Sequence, residues 1–317
     1  MKIVIAGGSG FLGRPLAAAL AADGHDVVAL TRDSPRGSPD GSRDTRSTSR
    51  VPGHARAVQW TPNGTIGPWA TEIDGAGAIV NLAGESIAAT RWSAEQKRRI
   101  LESRVHATSS LVEAIRAAAA PPDVFVSGSA VGYYGPRGDE RLAEDTPAGS
   151  DFLARICVQW ETEAQRASSP RTRVVCARTG IVLERDGGAL PQMLLPFKLG
   201  AGGPVGSGGQ YWPWIHRADW IDLVRWAIRT TGVSGAVNAT APEPVTNKAF
   251  AAALGRALHR PAFMPAPAFA LRVLLGEMAD ALLLSGQRAV PARAERLGFS
   301  FRYTHVDAAL QAIFGGS

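Results

Sequence analysis

Residues 2–13, KIVIAGGSGFLG, decide the fold of this chain. Lys2–Ala6 is a short apolar run with β-branched residues, which predicts a buried strand. A glycine cluster follows, and Arg14–Ala22 then has the composition of a helix. Asp26–Leu30 predicts the next strand. The order strand, helix, strand over this length indicates a βαβ unit with parallel strands and a right-handed crossover.

The glycines between the first strand and the first helix have the spacing of a dinucleotide-binding loop. Gly7, Gly10 and Gly13 form the pattern GxxGxxG. Glycine there permits a tight turn, close approach of the backbone to a pyrophosphate, and close packing of the helix on the sheet. The helix N-terminus adds unpaired N–H groups and the positive end of a dipole. The loop therefore predicts a pyrophosphate site that also includes Phe11 and Leu12; a glycine-rich turn without a ligand is the alternative.

The residues that end the second strand indicate which dinucleotide binds. Sites for NAD place an Asp or Glu there to bind the ribose 2′-hydroxyl, whereas this chain has Thr31 and Arg32. A carboxylate would repel a 2′-phosphate, and an arginine pairs with it. The pattern favours NADP over NAD, with Thr31 and Arg32 at the 2′-phosphate. Asp33 leaves NAD open, because it reaches the ribose if the strand ends later.

Strands and helices continue to alternate up to about residue 180. The further elements are, in chain order, Ala78–Asn81, Ala94–Ala118, Val124–Ser127, Leu153–Ala167 and Arg173–Ala177. They predict an α/β fold in which residues 1–185 form a Rossmann-type doubly wound parallel sheet. The length of 317 residues exceeds what one core usually supports. Residues 186–317 are therefore predicted to add a substrate loop and a smaller C-terminal α/β region, partly interleaved with the sheet domain.

Residues 33–56 differ in composition from the rest of the chain. The stretch DSPRGSPDGSRDTRSTSRVPGHAR is rich in Ser, Arg, Pro and Gly and has no apolar period. Such a composition predicts a flexible surface loop. A regulatory or anion-binding element is the alternative.

Composition and charge exclude several classes of protein. The net charge is +6, but the sequence has no long basic run with interleaved aromatic residues, so no nucleic-acid partner is expected. The longest apolar tract, Pro267–Leu284, contains three charged residues and is not predicted to span a membrane. Cys157 and Cys176 form no CxxC or metal spacing, so we expect neither a disulfide framework nor a metal site. No targeting pattern precedes the first strand, and we expect a cytoplasmic monomer or homodimer with a small-molecule substrate.

Motifs further along the chain narrow the assignment. They are NLAGESI at 81–87, GYYG at 132–135, DFLARICVQWE at 151–161, PFKLGAGGPVGSGGQYWPWIH at 196–216 and HRPAFMPAPAF at 259–269. With the glycine loop, they resemble an extended short-chain dehydrogenase/reductase of the nucleotide-sugar epimerase type. Among these proteins the chain is similar to the epimerase-family reductases with a small C-terminal domain of unknown function. The resemblance covers nearly the whole chain except 33–56, and it implies a Rossmann fold and a bound nicotinamide cofactor, NADP in preference to NAD.

Three further cofactor contacts are predicted. The turn formed by Leu82, Ala83 and Gly84 follows a strand and can approach the cofactor ribose through its backbone. Arg104 falls within the apolar stripe of the Ala94–Ala118 helix, so its charge needs a partner, which is either a carboxylate or a cofactor phosphate, the 2′-phosphate beside Arg32 being the candidate. The resemblance implies that Val182, in the turn after the Arg173–Ala177 strand, lies beside the nicotinamide.

The catalytic residues depart from the pattern of typical members. Those members use a Ser or Thr followed by Tyr-x-x-x-Lys, in which the tyrosine is the acid or base and the lysine lowers its pKa. Ser129 matches the serine, but Leu153 and Cys157 stand at the tyrosine and lysine positions. The replacement acid is predicted to be Tyr133 or Tyr134, with packing against the substrate loop as the alternative for both.

The substrate is expected beyond the carboxyl ends of the strands. Candidate contacts there are Trp92, Lys198, Tyr211 and His216, with Lys198 and His216 also as helpers of the tyrosine. A structural hydrogen bond is the alternative for His216, and attachment of the C-terminal region is the alternative for the aromatic residues. These features predict an NADP-dependent, epimerase-like oxidoreductase that transfers a hydride to or from a small polar substrate. An NADP-binding redox-sensing or interaction protein without turnover is the alternative.

Overall fold

An eight-stranded sheet with helices on both faces forms the centre of the structure. The computed structural model describes residues 1–32, 50–51 and 55–315. The strands are β1 (Lys2–Ala6), β2 (Asp26–Thr31), β3 (Arg50–Val51), β4 (Ala55–Gln59), β5 (Ala78–Asn81), β6 (Val124–Ala130), β7 (Arg141–Leu142), β8 (Arg173–Thr179), β9 (Ile181–Leu183), β10 (Tyr211–Trp212), β11 (Trp214–His216), β12 (Gly235–Ala239), β13 (Val245–Thr246) and β14 (Arg288–Ala289).

The helices alternate with the strands through most of the chain. They are α1 (Gly13–Ala22), α2 (Ala94–Ala117), α3 (Phe152–Gln165), α4 (Leu190–Lys198), α5 (Arg217–Arg229), α6 (Asn247–Leu258), α7 (Ala268–Leu275), α8 (Glu277–Ala279), α9 (Ala292–Arg296) and α10 (Val306–Phe314). Two short 3₁₀ helices lie at Pro68–Glu72 and Val131–Tyr134, and a π-helical turn lies at Asp280–Leu284. In the described ranges, no helix is both long enough and apolar enough to cross a bilayer.

The strand order confirms the predicted Rossmann-type α/β fold. The central sheet runs β12-β8-β6-β5-β1-β2-β4-β3, and only the short β3 is antiparallel to its neighbour. Chain order reverses between β1 and β5: β2 and β4 lie on one side of β1, and β5, β6, β8 and β12 follow on the other. In open parallel sheets such a switch point opens a crevice beyond the carboxyl ends of the strands, where ligands bind.

Three strands of the central sheet, β3, β4 and β12, were missing from the sequence-based prediction. β4 begins inside the predicted flexible loop 33–56, so the prediction of a loop is wrong for residues 55–56. Residues 50–51 of the predicted loop form β3, and its other residues lie outside the described ones. The apolar signal of β4 is short, because Ala55 and Ala57 face the core and Arg56 alternates with them. β12 joins the central sheet although it follows residue 186, so the sheet draws on both predicted segments. The division of the chain into 1–185 and 186–317 stays a prediction.

Alternation along the strands supplies two apolar layers. Ile3 and Ile5 of β1 face α1 and α5, whereas Val4 and Ala6 face α2 and α3. These residues are fully buried, as expected for a parallel sheet covered on both faces. Leu16 of α1 and the other apolar residues of the first layer anchor that helix, which positions its N-terminus above the glycine loop.

A third apolar cluster lies in the C-terminal half. It contains α4, α6 and α10 together with Trp212 and Trp214. The predicted substrate loop after residue 186 is not wholly irregular, because α4, β10 and the start of β11 lie between residues 186 and 214, with Pro196 inside the helix. The apolar tract Pro267–Leu284 contains α7 and α8, which are separated at Gly276, whose φ of +62° is a conformation that favours glycine.

Buried side chains of the sheet bind the backbone of the C-terminal segment. Asn238 of β12 donates to the Val290 carbonyl over 2.9 Å, and Glu144 accepts the N–H of Arg293 over 3.0 Å. Asp219 accepts the N–H groups of Arg302 and Tyr303 over 2.8 and 2.9 Å. The C-terminal segment and the sheet therefore satisfy one another's buried polar groups. Asp219 lies in the first turn of α5, and His216 is the N-cap of that helix.

Candidate functional site

The glycine loop is held at the switch point by close backbone contacts. Gly7 has a φ of +79°, and a Cβ added to it would lie 2.9 Å from the Leu82 carbonyl carbon. A Cβ on Gly8 would lie 2.7 Å from the Ala29 Cβ, and one on Gly13 only 2.2 Å from the Gly7 carbonyl oxygen. These positions leave no room for a side chain, so the backbone of the loop is exposed to the crevice between β1 and β5. This is the cradle that a pyrophosphate needs.

The first turn of α1 presents free donors to that crevice. Within the described residues, the backbone N–H groups of Phe11, Leu12 and Gly13 have no hydrogen-bond acceptor. The Phe11 ring closes one side of the loop: it lies 5.3 Å from the Arg217 guanidinium and packs against Gly187 and Gly188. Unpaired donors at a helix N-terminus bind phosphate, so the chain's own geometry fits the pyrophosphate of a dinucleotide.

The end of β2 fits a phosphorylated ribose. Thr31 is the last residue of β2, and Arg32 follows it at the surface with no ion pair to any described residue. Asp33, which left NAD open, lies outside the described residues. A free guanidinium without a neighbouring described carboxylate suits a 2′-phosphate.

The turn after β5 lies on the other side of the glycine loop. The Leu82 N–H donates to the Ala6 carbonyl over 2.9 Å, and the Ala83 N–H donates to the Asn81 side chain over 3.1 Å. The first bond holds the turn against β1, and the second fixes the conformation of the turn itself. The structure thus brings the predicted cofactor contacts Gly7, Gly10–Gly13 and Leu82–Gly84 together at the carboxyl ends of β1 and β5.

Arg104 occupies a different place from the one predicted for it. Gly84 lies against its side chain, with an added Cβ 3.1 Å from Arg104 Cγ. Because β1 separates β5 from β2, Arg104 and Arg32 lie on opposite sides of the switch point. Arg104 therefore does not join Arg32 at a 2′-phosphate, and it has no carboxylate partner among the described residues: its Nη1 donates to the carbonyls of Glu85 and Ile100, each over 2.9 Å. Burial lowers the pKa of Arg104.

Val182 lies near the loop that covers Phe11. It is the middle residue of β9, which pairs in parallel with β11 through Ile215. Its carbonyl oxygen would lie 3.3 Å from a Cβ on Gly188. The structure thus brings Val182 to the rim of the glycine loop, and contact with the nicotinamide stays a prediction.

Ser129 belongs to a buried charged cluster that the sequence did not reveal. Its hydroxyl donates to Glu161 Oε1 over 2.6 Å. Glu161 also accepts two hydrogen bonds from Arg178, at 2.8 and 2.9 Å. Although burial opposes the charge, the hydrogen bonds and charge of Glu161 raise the pKa of Arg178. The carboxylate partner of Arg178 is therefore Glu161.

The position of Glu161 explains how this cluster forms. Ser129 of β6 is the direct neighbour of Arg178 on β8, which is the direct neighbour of Asn238 on β12. Glu161 lies one helical turn after Cys157 and two turns after Leu153, on the same face of α3. Because Leu153 and Cys157 replace the usual tyrosine and lysine, a glutamate on the same helix face was the signal that could have predicted this charged cluster, and the sequence analysis missed it.

The two candidate tyrosines differ in environment. Tyr134 is fully buried; its hydroxyl donates to Asn238 Oδ1 over 2.7 Å and accepts from Arg178 over 3.0 Å. Burial raises the pKa of Tyr134 to about 12. The prediction of Tyr134 as a catalytic acid is wrong for this geometry, because its hydroxyl is enclosed and both its bonds are internal. Tyr133 is half-buried, and the Arg178 guanidinium lies 3.4 Å from its ring centroid.

The predicted cationic helpers do not reach Tyr133. Lys198 is exposed at the end of α4, and among the described residues it forms no hydrogen bond or ion pair with Ser129 or Tyr133. His216 caps α5: its Nδ1 accepts the Ala218 N–H over 3.1 Å, and its ring stacks on Tyr303. The structural alternative for His216 is therefore correct, and Arg178 is the cation beside Tyr133.

The cap at His216 makes stability depend on pH. Burial lowers the pKa of His216 below its ordinary value of about 6.5. Below about pH 6.5 the imidazole is protonated in the unfolded chain but stays neutral in the folded chain. The free energy of unfolding is therefore highest above about pH 6.5 and falls as the pH drops toward the pKa of His216 in the folded protein. We expect His216→Asn, which keeps a capping oxygen, to flatten this part of the profile. Urea unfolding of both proteins from pH 7.5 to 5 measures it; parallel profiles would contradict the assignment.

Trp92 and Tyr211 lie in different parts of the structure. The Trp92 ring packs edge-on against Phe152, the first residue of α3, with centroids 5.0 Å apart. It thus borders the end of α3 nearest Gly132 and Tyr133, since Leu153 packs on Gly132. Tyr211 pairs with Thr246 between β10 and β13, and Arg288 lies 4.9 Å above its ring. The neighbouring Trp212 and Trp214 are buried in the third cluster, so for these two the alternative of attaching the C-terminal region is correct.

Seven of the eight strands of the central sheet are parallel, and the glycine loop forms a nucleotide cradle at their switch point. This arrangement defines a Rossmann-type dinucleotide-binding protein. The comparisons with known proteins agree with this class. The profile of the NAD dependent epimerase/dehydratase family matches residues 3–239, and that of a domain of unknown function, DUF1731, matches residues 266–313. The chain belongs to the NAD dependent epimerase/dehydratase family.

Relatives along the full length support this assignment. The chain is 40% identical to the chloroplastic epimerase family protein SDR39U1 homolog of Arabidopsis thaliana, covering 99% of this chain and 86% of the relative. It is 37% identical to the epimerase family protein YfhF of Bacillus subtilis, covering 99% and 98%. The crystal structure of human epimerase family protein SDR39U1 with NADPH matches with 34% identity and a TM-score of 0.88 over 100% of both chains.

Proposed function

We propose that the chain is an NADPH-dependent oxidoreductase that acts on a small polar molecule. The observation that carries the proposal is the side-chain-free cradle of Gly7, Gly8 and Gly13 with Arg32 at the end of the next strand. The human relative crystallised with NADPH supports the choice of cofactor. NADPH supplies hydride when bound; the residues of this chain bind it, orient the reactants and move the proton.

The proton-handling groups of this proposal are Ser129 and Tyr133. Ser129 lies at the carboxyl end of β6 and is held by Glu161, and Tyr133 follows on the 3₁₀ turn, stacked on Arg178. One guanidinium–carboxylate pair therefore positions both residues. Tyr133 acts as the proton donor when a carbonyl is reduced, and Ser129 orients the reacting oxygen.

The cofactor assignment predicts a loss of selectivity in Arg32→Ala. We expect the affinity for NADPH to fall about 10- to 100-fold, because a hydrogen-bonded charge pair to the 2′-phosphate is removed. The affinity for NADH stays unchanged, since NADH has no phosphate there. Fluorescence titration of both nucleotides measures this, with Arg116→Ala at the exposed C-terminal end of α2 as the control. Equal or tighter binding of NADH by the unmodified chain would overturn the assignment.

If cofactor and substrate bind at separate sites, two substitutions near the substrate should not change the affinity for NADPH. Tyr133→Phe and Lys198→Ala should leave the affinity for NADPH within about twofold, since neither residue contacts the glycine loop. Tyr133→Phe should lower turnover about 100-fold or more, the usual contribution of a general acid. The same titration and an NADPH absorbance assay separate the two effects. Loss of NADPH binding in either folded variant would show that the two sites are one.

A second candidate function follows from the residues at the tyrosine and lysine positions. Leu153 and Cys157 stand there, and burial raises the pKa of Cys157 to about 11, which makes its thiol unreactive. An NADP-binding redox sensor or interaction protein without turnover needs neither residue. A substrate screen that follows NADPH absorbance distinguishes the two, because the sensor oxidises NADPH with no member of the panel. Cytoplasmic location and a monomeric or dimeric state stay predictions.

A further inference from the structure

The lysine position of typical relatives is filled by an apolar, neutral group in this chain. Cys157 is 4% exposed on α3, and its thiol lies among Ser129, Ala130 and Arg104. No lysine occurs on α3. If NADPH binds as proposed above, the nicotinamide side of the crevice therefore needs its cation from another element.

Arg104 of α2 brings a guanidinium to that place. The group lies 5.3 Å from the ring centroid of Trp160, which is on α3 three residues after Cys157. It also contacts Gly84 in the turn after β5. The side chain thus bridges the two elements that border the crevice on the side away from β2.

Most of the donors of Arg104 have no acceptor. Only Nη1 is bonded, to the carbonyls of Glu85 and Ile100; within the described residues, Nε and Nη2 have no hydrogen-bond partner. Among the described side chains, the polar atoms that are both fully buried and without a hydrogen-bond partner are Nε1 of Trp160 and Nε1 of Trp212. Nε and Nη2 of Arg104 are not among them, so both atoms keep some exposure to solvent. A half-buried guanidinium held in place by backbone carbonyls, with free N–H groups and no carboxylate hydrogen-bonded to it among the described residues, is suited to bind oxygen atoms of a ligand.

The strand order decides which part of the ligand this is. Arg32 follows β2, the glycine loop follows β1, and Gly84 with Arg104 follows β5, in that spatial order. A dinucleotide whose 2′-phosphate lies at β2 and whose pyrophosphate lies at β1 extends its other half toward β5 and β6.

We propose that Arg104 binds the nicotinamide-riboside half of NADPH through Nε and Nη2, and so replaces the lysine that typical relatives carry on α3. This inference rests on the proposed function, since it assumes that NADPH is the ligand. It makes Arg104 a cofactor-binding residue on the nicotinamide side and leaves the 2′-phosphate to Arg32.

Adenosine 2′,5′-bisphosphate tests the proposal, because it carries the adenine ribose and 2′-phosphate but no nicotinamide. Calorimetric titration is carried out with this compound and with NADPH on the full chain, Arg104→Met, Arg32→Ala and the control Arg98→Met. Arg98 lies on α2 with exposed partners. We expect Arg104→Met to weaken NADPH about 10- to 100-fold and the bisphosphate less than about twofold, whereas Arg32→Ala weakens both and Arg98→Met neither.

Retained bisphosphate binding also shows that the Arg104→Met protein is folded. Should it not fold, Arg104→Gln keeps N–H donors for the two carbonyls and removes the charge, and the same selective loss is expected. Equal losses for both ligands, or none for either, would overturn the assignment of Arg104 and leave the proposed function standing. If the unmodified chain binds the bisphosphate but not NADPH, or binds neither, the proposed function fails and this inference with it.

Discussion

Gly13→Ala is expected to abolish NADPH binding and to lower the Tm. The added Cβ would lie 2.2 Å from the Gly7 carbonyl oxygen and 2.7 Å from the Gly8 Cα, and both are backbone atoms of the cradle. Either α1 moves away from the sheet or the loop changes shape, and both changes displace the N–H donors of Phe11 and Leu12. We expect the affinity for NADPH to fall at least about 100-fold, since positioned donors at the helix N-terminus are the main phosphate contacts.

The direction of the stability change makes this a sharp test. Helix propensity alone predicts that Gly→Ala in a helix stabilises the fold by about 0.5–1 kcal/mol. The contact with Gly7 predicts the opposite, a loss of about 1–3 kcal/mol from overpacking. Gly232→Ala is the matched control, because nothing lies within 4 Å of its added Cβ. Thermal unfolding and NADPH titration measure both effects. Binding within about threefold of the unmodified chain would refute the role of the cradle.

Arg178→Met is expected to cause the largest loss of stability among the charged residues. Its side chain is 4% exposed and that of Glu161 is 13% exposed, so the substitution leaves a nearly buried carboxylate without its cation. Removing one partner of a buried pair costs about 3–5 kcal/mol. Tyr134 loses a hydrogen bond at the same time, and Tyr133 loses the group on which its ring rests.

Urea unfolding measures this loss, and a second substitution tests its cause. Arg178→Met with Glu161→Met removes the unpaired charge, so we expect the double variant to recover a substantial part of the stability. Arg256→Met, which breaks an exposed pair with Asp307, should change stability very little. A loss below about 1 kcal/mol in Arg178→Met would show that Glu161 is satisfied by Ser129 and water alone.

The parts of the fold that were predictable are those that local sequence determines. The apolar run Lys2–Ala6, the glycine spacing after it and the periodicity of α2 each depend on neighbouring residues, and all three are confirmed. Ser93 also caps α2 as a local pattern indicates, with its Oγ accepting the Gln96 N–H. Short strands such as β12, with the sequence GAVNA, carry too few apolar residues for their period to be recognised.

The candidate site was only partly predictable, because its chemistry depends on register between distant elements. Glu161 and Arg178 are 17 residues apart and meet only when α3 packs across β6 and β8. Helical periodicity placed Arg104 on the inner face of α2 correctly, but the strand order decides which side of the switch point that face reaches. For the same reason a tyrosine that follows a strand can be either half-buried, as Tyr133 is, or fully enclosed, as Tyr134 is.

The hydrogen bonds between the sheet and the C-terminal segment bear on how such a chain evolves. The two matched profiles end at residue 239 and begin at 266, which suggests two units that could be inherited separately. Three buried side chains of the first unit nevertheless form hydrogen bonds with the backbone of residues 290–303; they are those of Asn238, Glu144 and Asp219. A chain without residues 290–303 would lose these hydrogen bonds, each worth about 0.5–1.5 kcal/mol, and would expose the side of the sheet that the segment covers. Loss of the second unit therefore lowers the stability of the first, which favours keeping the two units together.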